Sequence, residues 1–267
     1  MDETMQRGIE PRRRPQSIPP PESVDLKRTA LLLDVDGTLL DIAATPDGVV
    51  VPASLRTTLD RLLARSGGAV ALVSGRTIVT LDRLFQPLAL PAIGGHGAEM
   101  RLNPDAAVIK RHPPGLSEAV RQRLHALSKV DPRLLVEDKL HSIAVHYRLA
   151  LQQEPFLEKE IAAIVAEEPG DEIEVLPGKA VIEIKPSRFN KGTAVQALMG
   201  YAPFLGRKPL FIGDDTTDEA VFAILPELRG LGFSVGQEMQ GADGVIPSPE
   251  HVRTWLAQLA AAAGRAS

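Results

Sequence analysis

Two clusters of carboxylates, each set directly after a short apolar run, constrain this chain more than any other feature. Residues 30–33 lead into Asp34-Val35-Asp36-Gly37-Thr38, and residues 210–212 lead into Gly213-Asp214-Asp215-Thr216-Thr217-Asp218. Short apolar runs bounded by polar residues read as buried strands. Acidic side chains therefore project from the carboxyl ends of two strands far apart in sequence, which is where ligands bind in open α/β sheets. Crowded carboxylates repel one another, and a bound cation relieves that repulsion. Oxygen ligands select a hard cation, most simply Mg²⁺.

Around the first cluster the pattern alternates between strand and helix. Leu55, Leu59, Leu62 and Leu63 recur at helical spacing after Pro52. A second apolar run, 69–73, ends at Ser74-Gly75-Arg76, and Ile78–Phe85 reads as another helix. Residues 90–93 then lead to Gly94-Gly95-His96-Gly97. Strand, helix, strand, helix in this order predicts an α/β fold with a doubly wound parallel sheet.

The texture changes between about residues 100 and 185. Ile143, Val145 and Tyr147 alternate with Ala144, His146 and Arg148, and Val181, Glu183 and Lys185 share one side of a later run. Helical stretches near 116–127 and 152–165 lie among these segments. Such a unit is a small α+β domain whose sheet has one open face. The parallel core resumes with a helix near 191–199, the strand into Asp214, a strand at 232–235 and a final helix near 249–263. The expected organisation is a catalytic core over 29–102 and 187–267, with an α/β cap inserted over 103–186. The crossings near 102–104 and 186–190 both contain proline and suit a hinge. Residues 1–28 hold Arg12-Arg13-Arg14-Pro15 and Pro19-Pro20-Pro21 without an apolar stretch. They are expected to form a flexible tail and not a secretory signal.

Composition excludes several classes. A net charge of −4 and only 4% aromatic residues argue against a nucleic-acid surface. The absence of cysteine rules out disulfides, thiolate metal sites and a cysteine nucleophile, and suits a reducing, cytoplasmic setting. No apolar run approaches the roughly 18 residues of a membrane span, so no membrane partner is expected. Oligomeric state has no signature in the sequence, and a monomer is the simplest expectation.

Phosphoryl transfer needs a nucleophile, neutralisation of the equatorial oxygens and an acid for the leaving group. Asp34 is a candidate nucleophile. Asp36 is placed to protonate the leaving oxygen and later to activate water. Ser74 can donate a hydrogen bond to a phosphoryl oxygen, Lys191 can supply compact positive charge, and Asp214 can complete a metal shell. Taken singly, each has a plainer reading: Asp-x-Asp-Gly is a common turn, and a lysine after Asn190 is ordinarily on the surface. Their order along the chain carries the inference.

Residues 31–39, Ser74, Lys191 and 213–218 resemble the four motifs of the haloacid dehalogenase superfamily, and Asp36 points to its phosphatase branch. The resemblance implies Asp34 as nucleophile and Asp36 as general acid and base. It implies Asp34, Asp36 (through its backbone carbonyl) and Asp214 as Mg²⁺ ligands, with Asp215 and Asp218 in support. A narrower resemblance, from Arg28 onward, is to trehalose-6-phosphate phosphatases. It rests on Gly95-His96-Gly97-Ala98-Glu99, Glu137-Asp138-Lys139, His146-Tyr147-Arg148, Pro177-Gly178-Lys179, Glu183-Ile184-Lys185-Pro186 and Asn190-Lys191-Gly192. That family implies that Glu137, Lys139 and Glu183 hold the hydroxyls of a small-molecule sugar phosphate, which suits groups able to make several hydrogen bonds. Gly75, Arg76, His96, His146 and Arg148 complete the expected substrate-binding set.

Without the resemblance, Glu137 and Lys139 read as a solvated strand edge, His146 as a satisfied sheet histidine and Arg148 as an ion-pair partner. Glu183 and Lys185 read as a same-face ion pair. The expected activity is Mg²⁺-dependent hydrolysis of trehalose 6-phosphate through an aspartyl-phosphate. Sucrose 6-phosphate or a mannosylglycerate precursor is the alternative substrate on the same core. A non-catalytic sugar-phosphate sensor is the alternative outside enzymes, although such a protein would be expected to lose the nucleophile or a metal ligand. A kinase is disfavoured because Gly178-Lys179 is followed by Ala180 and no phosphate-binding loop is present.

Overall fold

The computed structural model describes residues 17–42, 49–110, 116–139, 142–167, 173–186 and 190–262. The first part of the core runs β1 (Thr29–Leu33), α1 (Ala53–Arg65), β2 (Val70–Val73), α2 (Ile78–Phe85), β3 (Ala92–Gly94), β4 (Glu99–Arg101) and β5 (Ile109–Lys110). The inserted unit follows as α3 (Glu118–Ala126), β6 (Leu135–Asp138), β7 (Ile143–His146), α4 (Glu154–Ala166), β8 (Ile173–Gly178) and β9 (Val181–Pro186). The core closes with α5 (Lys191–Leu198), β10 (Lys208–Gly213), α6 (Glu219–Ile224), β11 (Leu231–Val235), β12 (Gly244–Ile246) and α7 (Pro249–Ala262).

From Ala30 onward β1 is apolar on both faces because both are covered. Leu31 and Leu33 pack with Leu59 and Leu62 of α1, Leu81 and Phe85 of α2, and Leu256 of α7. Leu32 packs on the other side with Val195 and Leu198 of α5 and Phe222 of α6. Each fully buried leucine contributes about 1.5–3 kcal/mol, so a slip of one residue would forfeit both contacts and the register is firmly set. The core sheet has eight strands in the order β12-β11-β10-β1-β2-β3-β4-β5. Pairing is parallel from β12 to β3, and β4 and β5 add an antiparallel edge. The chain winds outward from β1 through β2 and β3, then from β10 through β11 and β12 on the other side. β1 and β10 therefore flank the reversal point, and the crevice beyond their carboxyl ends is the ligand position of such folds.

The inserted unit is a four-stranded antiparallel sheet, β6-β7-β9-β8. Ile143, Val145, Ile182 and Ile184 face α3 and α4 and meet Leu124, Leu157 and Ile161. Alternation sends the neighbouring residues to the opposite face. Register there aligns Glu137 with Ala144 and Ala144 with Glu183, and places His146 one step along.

The fold is the mixed α/β architecture with a parallel core that the sequence predicts, but several details differ. The core sheet continues to Lys110, because β5 pairs with β4. Residues 102–104 thus lie in a turn of the core and form no hinge. The chain leaves the core sheet only after Lys110, and residues 111–115 and 187–189 lie outside the described residues. The expected flexible tail over 1–28 is packed from residue 17: Trp255 Nε1 donates to the Pro19 carbonyl at 2.8 Å, Leu26 is buried, and Ile18 and Val24 lie on the core. Its basic stretch, residues 12–14, lies outside the described residues. Lys185 pairs with Glu174 across β8 at 2.8 Å and not with Glu183. Among the described residues no helix is long and apolar enough to cross a membrane.

Candidate active site

β1 delivers Asp34 to the reversal point, where its backbone N–H donates to the Ile212 carbonyl at 2.9 Å. The chain then folds into a tight loop, with Gly37 N–H donating to the Leu40 carbonyl and Leu40 N–H to that of Val35. Gly37 has φ +78°, and a Cβ there would fall 1.9 Å from Asp214 Oδ2. Only glycine permits both the left-handed turn and the approach of the second acidic cluster. Thr38, next in the loop, donates its hydroxyl to Asp214 Oδ1 at 3.1 Å.

Lys191 joins the two clusters. Asn190 caps α5 by accepting from Thr193 N–H at 2.8 Å, which sets Lys191 in the first turn. Its buried Nζ donates to Asp34 Oδ1 and to Asp218 Oδ1, both at 2.7 Å. Asp218 is wholly buried, and its other oxygen accepts from the backbone N–H groups of Asp214 and Asp215 at 3.0 Å. Asp218 thereby fixes both the lysine and the loop that carries Asp214. Asp215 caps the short turn after β10 and stands at the exposed rim.

Burial pushes the Asp34 pKa well above the carboxylate range; Lys191 opposes this, and Asp218 and Asp214 add to it. Asp214 is pushed up to about 6, first by burial and then by Asp218. Burial alone would lower Lys191, but the Asp218 and Asp34 carboxylates outweigh it and raise the ammonium above its usual value. Asp34, Asp214 and Asp218 each bring a carboxylate oxygen within 4.8 Å of the others. Lys191 offsets one of these three negative charges, and a hard divalent cation fits the remainder and the all-oxygen donor set. Asp218 already spends its oxygens on Lys191 and two amides, which leaves Asp34 and Asp214 as the side chains best placed to hold the ion. The Asp36 side chain stands apart from this cluster, because the Arg76 guanidinium grips both of its oxygens at 2.6 and 2.7 Å.

A pH effect follows for the metal-free protein. A carboxylate with a raised folded pKa binds more protons folded than unfolded, so stability falls as pH rises from about 4 to about 6. Thermal unfolding in chelator should show the Asp214 contribution as a declining Tm across that window, and saturating Mg²⁺ should flatten it. A Tm that rises identically with and without the ion across those pH values would contradict the assignment.

One cavity of about 640 Å³ joins core and cap, within the roughly 300–1,000 Å³ of small-molecule sites. Its core side is lined by Asp34, Asp36, Ser74, Gly75, Arg76, His96, Lys191 and Asp215, and its cap side by Glu137, Asp138, Lys139 and His146. Glu137 accepts from or donates to His146 Nε2 at 3.0 Å, according to the tautomer and protonation of the pair. Glu183 lies just behind this lining, held by Lys139 Nζ at 3.1 Å and the Ser142 hydroxyl at 2.6 Å. Burial would raise Glu183, but His96, whose Nε2 lies 3.4 Å away, helped by Lys139 and Ser142, holds it well below the usual carboxylate range.

Of the residues singled out in the sequence, Arg148 is the one set apart: it is exposed beyond the end of β7 and does not line the cavity. Thr38, Ser142 and Thr217 were missed. The Thr217 hydroxyl is buried at the cavity without a hydrogen-bond partner among the described residues. Thr38 and Thr217 both sit inside the acidic motifs, so position could have flagged them. Ser142 becomes visible only through strand register.

A family model described as trehalose-phosphatase matches residues 32–245. A protein of Sinorhizobium fredii described as a probable trehalose-phosphate phosphatase is 43% identical over 240 residues, covering 89% of this chain and 90% of that one. The trehalose-6-phosphate phosphatase of Escherichia coli is 37% identical over 233 residues, with 87% of each chain covered. Among solved structures, the C-terminal domain of the Candida albicans trehalose-6-phosphate phosphatase superposes with a TM-score of 0.76 at 24% identity, over 88% of this chain and 93% of that one. At that identity the last likeness speaks for the fold alone.

Proposed function

Because the chain belongs to the trehalose-phosphatase family, we propose that it hydrolyses trehalose 6-phosphate to trehalose and phosphate through a phosphorylated Asp34. The observation that carries this reading is a cavity with Asp34 and Asp36 at its floor and Glu137, Lys139 and His146 on its roof. The floor has the groups for phosphoryl transfer, and the roof has donors and acceptors for hydroxyls.

In this account Lys191 aligns the Asp34 carboxylate, and one Asp34 oxygen attacks phosphorus as the bond to the sugar oxygen breaks. Asp36 gives that oxygen its proton, then takes one from the water that attacks the phosphorylated Asp34 and restores the carboxylate. Arg76 grips Asp36 in the structure, and a phosphate dianion is a competing partner for its guanidinium, so substrate entry releases Asp36 for this work. The Ser74 hydroxyl faces the cavity to hold a phosphoryl oxygen. Mg²⁺ held by Asp34 and Asp214 would neutralise phosphoryl charge and orient the group. Cap residues cover the site and exclude water.

Selectivity is expected to reside in the cap, since the floor meets only phosphate. Replacing Glu137 by alanine leaves a sugar hydroxyl unpaired at a cost of about 1–3 kcal/mol, which lowers kcat/KM for trehalose 6-phosphate by about 5- to 150-fold. Hydrolysis of p-nitrophenyl phosphate, which offers no sugar, should change less than about threefold. Equal losses on the two substrates would show that Glu137 supports the fold instead.

A further inference from the structure

His96 is built into the core in an unusual way. Its φ of 52° lies in the left-handed region, where a histidine is strained, and glycines flank it on both sides. Its ring lies where Gly75 lacks a side chain: a Cβ there would come within 2.5 Å of Cε1 and Nε2. Nδ1 is buried with no hydrogen-bond partner among the described residues, whereas Nε2 lies 3.4 Å from Glu183 Oε1. A proton on Nδ1 would be buried without an acceptor, so the ring proton belongs on Nε2, facing the carboxylate. Backbone strain and a lost hydrogen bond at Nδ1 are thus both tolerated for one contact, and that contact joins the core to the cap.

Glu183 does not itself line the cavity, but it holds Lys139, which does. We propose that His96 is a positioning residue for sugar selection: from the core it donates to cap residue Glu183, and through Glu183 it sets Lys139 against the sugar when the cap is seated. This rests on the sugar-phosphatase reading above. It adds that a residue of the core, acting through a cap carboxylate, governs the choice of sugar. Ser142 and Lys139 orient Glu183 from within the cap, and among the described residues His96 is the one that does so from the core.

The test is a double-mutant cycle with His96→Ala, Glu183→Ala and the double variant, assayed on trehalose 6-phosphate and p-nitrophenyl phosphate, with Tm measured for each protein. His96→Ala should lower kcat/KM for the sugar phosphate by about 10- to 100-fold and for p-nitrophenyl phosphate by less than about threefold. In the Glu183→Ala background the His96 substitution should have no further effect on the sugar phosphate. His96→Gln, which puts an amide donor near the Nε2 position, should recover most of the loss. Additive losses, or equal losses on both substrates, would overturn the proposal, as would a failure of His96→Gln to rescue in a protein with wild-type Tm. If the wild type ignores trehalose 6-phosphate, the substrate assignment falls separately, and the same cycle is read on the sugar phosphate it hydrolyses fastest.

Discussion

Asp34→Asn is expected to reduce phosphate release from every substrate by about a thousandfold or more, because an amide cannot form the acyl-phosphate and no neighbouring group takes its place. Asp214 and Asp218 are the carboxylates neighbouring Asp34, but Thr38 engages the first and Lys191 with two backbone amides holds the second, while Asp36 is gripped by Arg76 and occupies the other role. The same variant should fold at least as well as the wild type. Asp34 is buried, and its raised pKa shows that the folded protein disfavours its charge despite Lys191. An asparagine keeps an oxygen to accept from Lys191 Nζ while removing repulsion from Asp214 and Asp218. Activity lost with Tm held or raised marks a residue whose charge serves chemistry at a cost to stability. Loss of both together would mean that Asp34 is structural.

Chelation should produce the second large effect. Removing divalent ions leaves the Asp34, Asp214 and Asp218 cluster with one ammonium for three carboxylates. With the proposed ion, the charge stabilisation lost would be about several kcal/mol, so EDTA should cut turnover by at least about a hundredfold, with full recovery in Mg²⁺. Calcium should compete without supporting turnover, since it takes more ligands at longer distances than an octahedral magnesium site provides. Full activity after exhaustive dialysis against chelator would refute the proposed metal dependence while leaving the roles of Asp34 and Asp36 open to separate test.

Sequence alone revealed the floor of the site better than its roof. Asp34, Asp36, Ser74, Lys191 and Asp214 follow apolar runs or open a helix, and in a parallel sheet such positions converge on one edge by topology. Convergence in the cap depends on antiparallel register, which the sequence does not display. The spacing of Glu137 and Lys139 shows that they share a face, yet nothing in it aligns Glu137 with Glu183 through Ala144. The same gap made Lys185 look like the partner of Glu183, when register sets it opposite Glu174. Arg148 shared its alternation with His146 but lies past the strand end, where alternation no longer fixes direction. β5 and β12 escaped notice because two or three residues carry no periodicity. Residues 17–28 have a tail's composition, and their docking rests on scattered contacts such as Trp255 with the Pro19 carbonyl.

In the proposed function, one cavity pairs a phosphoryl-transfer floor with a roof that selects a particular disaccharide. Phosphate release by the wild-type protein, measured as kcat/KM on trehalose 6-phosphate and on glucose 6-phosphate at matched Mg²⁺, separates the two halves of that pairing. Both substrates present the same phosphate to Asp34, and only the first has a second ring to engage Glu137, Lys139 and His146. The expected result is a preference for trehalose 6-phosphate of about a hundredfold or more, the worth of two or so cap hydrogen bonds. Equal values for the two sugars would contradict it.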